Sequence, residues 1–249
     1  MKFLVIGEGC RDIYRYGNSN RLCPEAPVPV LNIDNGKVTV NPGMAMNVYK
    51  NIQSLVTEED EVHFVTNNNW QNVTKTRYVD QKTNYLILRV DQNDEIARCK
   101  VRKIKLSEYD CVVISDYNKG FLSEEDIKYI SMNHRLTFLD TKKILGDWCK
   151  DISFIKINEN EYNRTKHMLN PDIESKLIIT LGPEGARYLN KTYPVSEVEI
   201  KDTSGAGDTF VAGLSVSYTK NKDIDVSIKF ANSCATQVVQ RKGVSVACV

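Results

Sequence analysis

The chain has 249 residues, with 33 Lys plus Arg against 32 Asp plus Glu and a formal net charge of +1. That length suffices for one large domain with a substantial core, and basic residues spread evenly along it argue against a nucleic-acid or membrane-surface partner. No stretch is long and apolar enough to span a bilayer, and the seven cysteines (10, 23, 99, 111, 149, 234, 248) include no Cys-x-x-Cys pair, so they read as reduced thiols of a cytoplasmic protein. His63, His134 and His167 have no ligand-like partners at short spacing, which excludes a histidine-built metal centre.

Taken in order, Phe3-Leu4-Val5-Ile6 is too short for a signal peptide and predicts a buried strand ending at Gly7. Gly7-Glu8-Gly9-Cys10-Arg11-Asp12 nearly spells the dinucleotide fingerprint, but Asp12 replaces its third glycine and prolines 24, 27 and 29 replace the helix that should follow. Asp12 is expected just past the first strand, where open α/β sheets bind ligands; a turn-capping role fits the same residue. The proline-punctuated run 21–31, an Asn35-Gly36 turn and Val38-Thr39-Val40 predict a hairpin flap. Asn41-Pro42-Gly43-Met44-Ala45-Met46-Asn47 then opens a helix to about Leu55, with Gly43 and Asn47 near its start.

Val62–Val65 predicts a strand, and residues 74–79 and 85–90 alternate as two more. Lys75, Arg77 and Arg89 on them are either solvated edge charges or reach a ligand. Cys111–Ile114 is a buried strand; the loop Ser115-Asp116-Tyr117-Asn118-Lys119-Gly120 leads to a helix from Ser123. Lys119 could neutralise a phosphate, and Asp116 could bind sugar or metal. Further strands are expected at 136–140, 153–157 and 177–180, and a helix over 224–240. Asn158-Glu159-Asn160-Glu161 begins a helix, where Asn158 caps and the acidic residues suit the first turn.

The most informative stretch is Lys201-Asp202-Thr203-Ser204-Gly205-Ala206-Gly207-Asp208-Thr209-Phe210. It predicts a strand end, a glycine turn and the first turn of a helix through Leu214 and Tyr218. Unpaired amides and the dipole make that N-terminus an anion site. A carboxylate at Asp208 would repel a phosphate there unless it has a task of its own, and the economical one is to take a proton from an attacking hydroxyl. No Gly-x-x-x-x-Gly-Lys-Ser/Thr loop is present, so phosphate handling has to rest on residues 205–208.

Asp-Thr-Ser-Gly-Ala-Gly-Asp-Thr-Phe is the signature of the ribokinase-like (phosphofructokinase-B type) sugar kinases, which this chain resembles over nearly its whole length. The Pro-Glu-Ala-Pro-Val-Pro run at 24–29, Pro-Gly-x-Ala-x-Asn-Val at 42–48 and Ser-Asp-Tyr-x-Lys-Gly at 115–120 are similar to its heptose-7-phosphate kinase branch, found alone or as the kinase half of bifunctional ADP-heptose synthases. The resemblance implies an α/β fold: a ribokinase-like, doubly wound, mostly parallel sheet flanked by helices, with a small β-sheet lid near 14–41 and 73–92, in a single kinase domain over 1–249. It implies that Gly205, Ala206 and Gly207 form the anion hole and Asp208 is the base; that Asp12, Gly43, Asn47, Arg77, Asp116 and Lys119 bind the sugar phosphate; that Lys156, Asn158, Glu161, Thr180, Gly182, Gly185 and Asn232 lie along ATP; and that Asn158 and Glu161 order Mg2+ through water. It also implies a homodimer through the lid. Two departures stand out. Met44 occupies a position where the family usually has a second glycine, and the region after Leu55 is short. Both keep another sugar, sugar phosphate or nucleoside open as acceptor; the second also keeps a non-catalytic nucleotide- or sugar-binding regulator open.

Overall fold

The computed structural model describes residues 1–33 and 36–248. Its larger sheet has eight strands in the order β13-β12-β11-β10-β9-β8-β1-β5. The strands are β1 (Lys2–Gly7), β5 (Glu61–Val65), β8 (Cys111–Asp116), β9 (Thr137–Thr141), β10 (Phe154–Asn158), β11 (Leu177–Thr180), β12 (Ala186–Tyr188) and β13 (Lys191–Tyr193). From β5 across to β11 all pairs are parallel; β12 and β13 add an antiparallel edge. The expected ribokinase-like architecture is present.

The sheet is covered on both faces, which is why its strands read as continuous apolar runs rather than alternating ones. Successive side chains point to opposite faces. Phe3, Val5, Cys111, Val113 and Phe138 pack with α1 (Ala45–Leu55), α5 (Ala206–Asn221) and α6 (Ile224–Val239), while Leu4, Ile6, Val112, Ile114 and Leu139 pack on the other side with α2 (Glu124–Asn133). Two shorter helices, α3 (Glu159–Thr165) and α4 (Pro171–Glu174), flank the same side. Ser123 starts α2 with a capping box closed by Asp126.

The smaller sheet is built from β2 (Gly9–Leu22), β3 (Pro29–Asn32), β4 (Val38–Met44), β6 (Thr74–Asp80) and β7 (Leu86–Gln92). β2 is its spine: β3 and β4 pair antiparallel to it, and β6 parallel. The predicted β3–β4 hairpin does not form, because both strands pair with β2 rather than with each other; Asn35 of its expected turn lies outside the described residues. The long strand β2 was hidden by its composition, since two glycines and six charged or amide residues mask the alternation. Gly43 lies within β4, which ends at Met44, rather than opening α1, which begins at Ala45. Residues 194–203 carry no strand, so the expected strand end at Lys201 is an extended loop whose Lys201 and Asp202 amides donate to Val239 O.

Met44, between β4 and α1, has φ 58° and ψ −140°. That backbone region is open to glycine and strained for any other residue. The Met side chain is nonetheless buried against Cys10 and Val73, so apolar burial holds a conformation the backbone alone resists.

Candidate active site

The carboxyl ends of β9, β10 and β11, the loop after β8 and the turn into α5 line one cavity. Gly205 takes φ +81° as the N-cap of α5, and a Cβ on it would lie 2.6 Å from Asn47 Nδ2. A Cβ on Gly207 would lie 2.7 Å from Lys156 Nζ. The two glycines therefore let the turn close on an amide from one side and an ammonium from the other. Ala206 N–H donates to Thr203 O at 3.3 Å, which leaves the Gly207 and Asp208 amides as helix-start donors without helical acceptors.

Asp208 is buried, at 7% exposure. Its Oδ1 accepts from the Tyr117 hydroxyl at 2.7 Å and its Oδ2 from Asn47 Nδ2 at 3.0 Å. Burial raises its pKa to about 6; the Asn47 and Tyr117 donors and the nearby Lys156 oppose that rise, and Asp140 adds to it. Behind the turn, buried Lys156 donates to Asp140 Oδ2 at 2.8 Å. The other oxygen, Asp140 Oδ1, is buried with no hydrogen-bond partner.

These groups line a cavity of about 380 Å3. Thr180, Gly182, Gly185 and Asn158 form its wall at the ends of β10 and β11, and Phe210, Ala235 and Val239 supply an apolar side. Asn232 reaches it too, but its Nδ2 is engaged by Tyr193 O at 2.8 Å. Asn158 and Glu161 form a reciprocal capping box at the start of α3, and Glu161 also pairs with Lys142.

On the lid side, Asp12 on β2 meets Arg77 on β6 at 2.6 Å, and the guanidinium sits 5.1 Å from the centroid of the Tyr14 ring. Gly43 lies beneath Asp12: a Cβ there would be 2.6 Å from Asp12 Oδ2. Lys119 reaches Asp94 at 2.5 Å, and Lys75 shares that carboxylate at 3.5 Å, so a core loop is tied to the lid by charge. The structure does not bring Asp116 into the cavity. Its buried carboxylate accepts from Lys143 Nζ at 2.8 Å and from Thr141, a buried ion pair that holds β8 to the segment after β9. The carboxylate expected to bind sugar or metal is thus engaged by Lys143 and Thr141.

Four positions at or beside the cavity were not singled out in the sequence: Tyr117, Asp140, Lys142 and Glu8. Asp140 and Lys142 flank the carboxyl end of β9, and that position in an α/β sheet was the available signal. Tyr117 stood in the Ser-Asp-Tyr-x-Lys-Gly motif without a role of its own. Glu8, fully buried, accepts from the Tyr117 and Lys119 amides at 2.8 and 2.9 Å and so shapes the loop that delivers Tyr117.

Comparison with known proteins agrees with this geometry. Residues 135–248 match the pfkB family carbohydrate kinase. The bifunctional protein HldE of Helicobacter pylori strain J99 is 31% identical over 300 aligned positions, which take in 99% of this chain and 64% of that protein. This chain therefore spans under two thirds of the relative, and the 300 positions against 249 residues imply gaps of about 50 positions within it. Among solved structures, ribokinase from Thermotoga maritima superposes with a TM-score of 0.74 at 18% identity over 97% of this chain and 94% of its own. Phosphofructokinase-2 from Escherichia coli gives 0.73 at 14% identity over 99% and 94%. Those two likenesses bear on the fold.

Proposed function

We propose that this chain, whose residues 135–248 match the pfkB family carbohydrate kinase, is a sugar kinase of that kind, transferring the γ-phosphoryl group of ATP to a hydroxyl of a sugar phosphate. The observation that carries this reading is Asp208: a buried carboxylate with a pKa raised to about 6, standing at a helix start whose free amides suit an anion. A base with that pKa is ionised near neutrality yet still basic enough to accept a hydroxyl proton. The Gly207 and Asp208 amides, backed by Lys156, are placed to stabilise charge on the transferring group. Preorganised donors of this kind are worth roughly a hundredfold or more each. Tyr117 and Asn47 hold the carboxylate in one orientation.

The residues present fit magnesium. Asp140 Oδ1 is a buried oxygen without a partner on the cavity wall that also carries Asn158, and Glu161 adjoins through the capping box. Magnesium prefers such oxygens and keeps most of its water. Bound there, it would neutralise charge on the ATP phosphates. Lys142, paired with Glu161 and lying over the Tyr117 ring, is a further cation on the same wall.

For the acceptor we infer heptose 7-phosphate, giving heptose 1,7-bisphosphate. The 31% identity to HldE and the motifs at 24–29, 42–48 and 115–120 support it. Asp12 and Asn47 would meet sugar hydroxyls, and Arg77 with Lys119 the distal phosphate once each leaves its carboxylate partner. A cytoplasmic enzyme acting as a homodimer through the lid goes with this reading. The test is ADP formation with Mg·ATP and a panel of acceptors: heptose 7-phosphate, hexose phosphates, free sugars and nucleosides. Turnover with the heptose alone supports the assignment, turnover with another acceptor keeps the mechanism and replaces the substrate, and ATP binding without any turnover overturns the kinase.

A further inference from the structure

A buried hydrogen-bond chain runs from the segment after α6 to Asp208. The Ala247 N–H donates to Asn51 Oδ1 at 3.0 Å, and the Thr209 hydroxyl donates to the same oxygen at 3.1 Å. A main-chain N–H can only donate, so that end of the Asn51 amide is its oxygen. Its Nδ2 then faces the preceding turn of α1 and donates to Asn47 O at 2.9 Å and Asn47 Oδ1 at 3.1 Å. With its oxygen occupied, the Asn47 amide has its N–H end turned to Asp208 Oδ2. Asn51 is 0% and Asn47 1% exposed, so no solvent competes along the chain.

We propose that Asn51, which touches neither the cavity nor the lid, is a positioning residue: it fixes the Asn47 amide so that its N–H rather than its carbonyl meets the base. Without Asn51 the Asn47 amide is free to turn, and a turned amide sets oxygen lone pairs against the carboxylate. A donor to the ionised carboxylate favours that form, and losing it favours the proton. The other titratable or charged groups facing Asp208 are Asp140 of β9, Lys156 of β10, Lys142, Tyr117 and Cys10 of β2. None of them is a partner of Asn51, so its effect has to travel through Asn47.

This inference rests on Asp208 being the base of the proposed kinase. The experiment is the pH dependence of kcat for the native chain, Asn51→Leu, Asn47→Leu and the double variant. Asn51→Leu is expected to move the acid limb up by about one pH unit, roughly a tenfold loss of kcat below the limb, and to leave it in place in the Asn47→Leu background. Should Asn51→Leu not fold, Asn51→Asp keeps an acceptor for Thr209 and Ala247. The field of its new carboxylate acts in both backgrounds and cancels in their difference, so the same one-unit coupling is expected. Equal shifts in the two backgrounds, or a loss of kcat at every pH without a shift, overturn the positioning role. No turnover by the native chain overturns the kinase reading, and this inference with it; native turnover without coupling overturns this inference alone.

Discussion

At the scale of single residues, the site holds its charges out of equilibrium with water, and stability should register it. Burial raises the folded-state pKa of Asp208 from 3.8 to about 6. A raised carboxylate pKa favours the fold below the unfolded value, and that contribution is lost as pH rises through the folded value. Asp208→Asn should therefore abolish turnover, leave ATP binding largely intact and stabilise the protein at pH 8 by on the order of 2 kcal/mol. The gain should shrink below pH 6 and vanish below about pH 4. Urea unfolding of both proteins across that range checks it; a gain that does not change with pH, or turnover like the native chain's, refutes it. The Lys156–Asp140 pair makes the opposite case. Its side chains are 4% and 7% exposed, and removing one partner strands the other charge. Lys156→Met should cost roughly 3–5 kcal/mol in the same unfolding assay, and a cost under 1 kcal/mol would show that Asp140 takes up a proton or a cation instead.

At the scale of elements, legibility followed burial. The strands at 3–6, 111–114 and 177–180 were evident because both their faces are covered, and the α5 turn because a Cβ on Gly205 or Gly207 would strike Asn47 Nδ2 or Lys156 Nζ. β2 was missed because one of its faces carries polar side chains: Asp12 pairs with Arg77, whose guanidinium lies over the Tyr14 ring, so the apolar alternation is broken there. The ion pair of Asp116 was hidden for a related reason. Strand-end position predicts the neighbourhood of the site, but a neighbouring Lys143 decides whether a carboxylate is free, and no local pattern announces that partner. The α5 turn itself gives a sharp test. Gly205→Ala puts a Cβ at φ +81° and against Asn47 Nδ2. It should cost on the order of 1–3 kcal/mol and lower kcat more than it raises KM for ATP, since it displaces the donor on Asp208. A pure stability loss with native kcat would mean that the turn tolerates a shift without disturbing the base.

At the scale of the whole molecule, the two faces of the lid sheet serve different ends, and the register shows it. Residues paired across strands point to the same side. Asp12, Lys75 and Asp91 are in register, as are Tyr14 and Arg77, and this is the side that meets the core. The intervening positions pair Val40 with Ile13 and Thr76, and Tyr78 with Leu88. Val38, Val40 and Leu88 stand exposed there, at 52%, 48% and 54%. An exposed apolar strand face is a liability unless something covers it, and a second copy of the lid offers a self-complementary cover. If the homodimer forms this way, Leu88→Glu should shift the sedimentation mass from dimer to monomer without lowering thermal stability at high dilution. It should also weaken sugar-phosphate binding, because the strand that carries Leu88 also pairs with the Arg77 strand. A native chain that sediments as a monomer at micromolar concentration would leave the apolar face without its partner and overturn the homodimer. A dimer indifferent to Leu88→Glu would place the interface elsewhere.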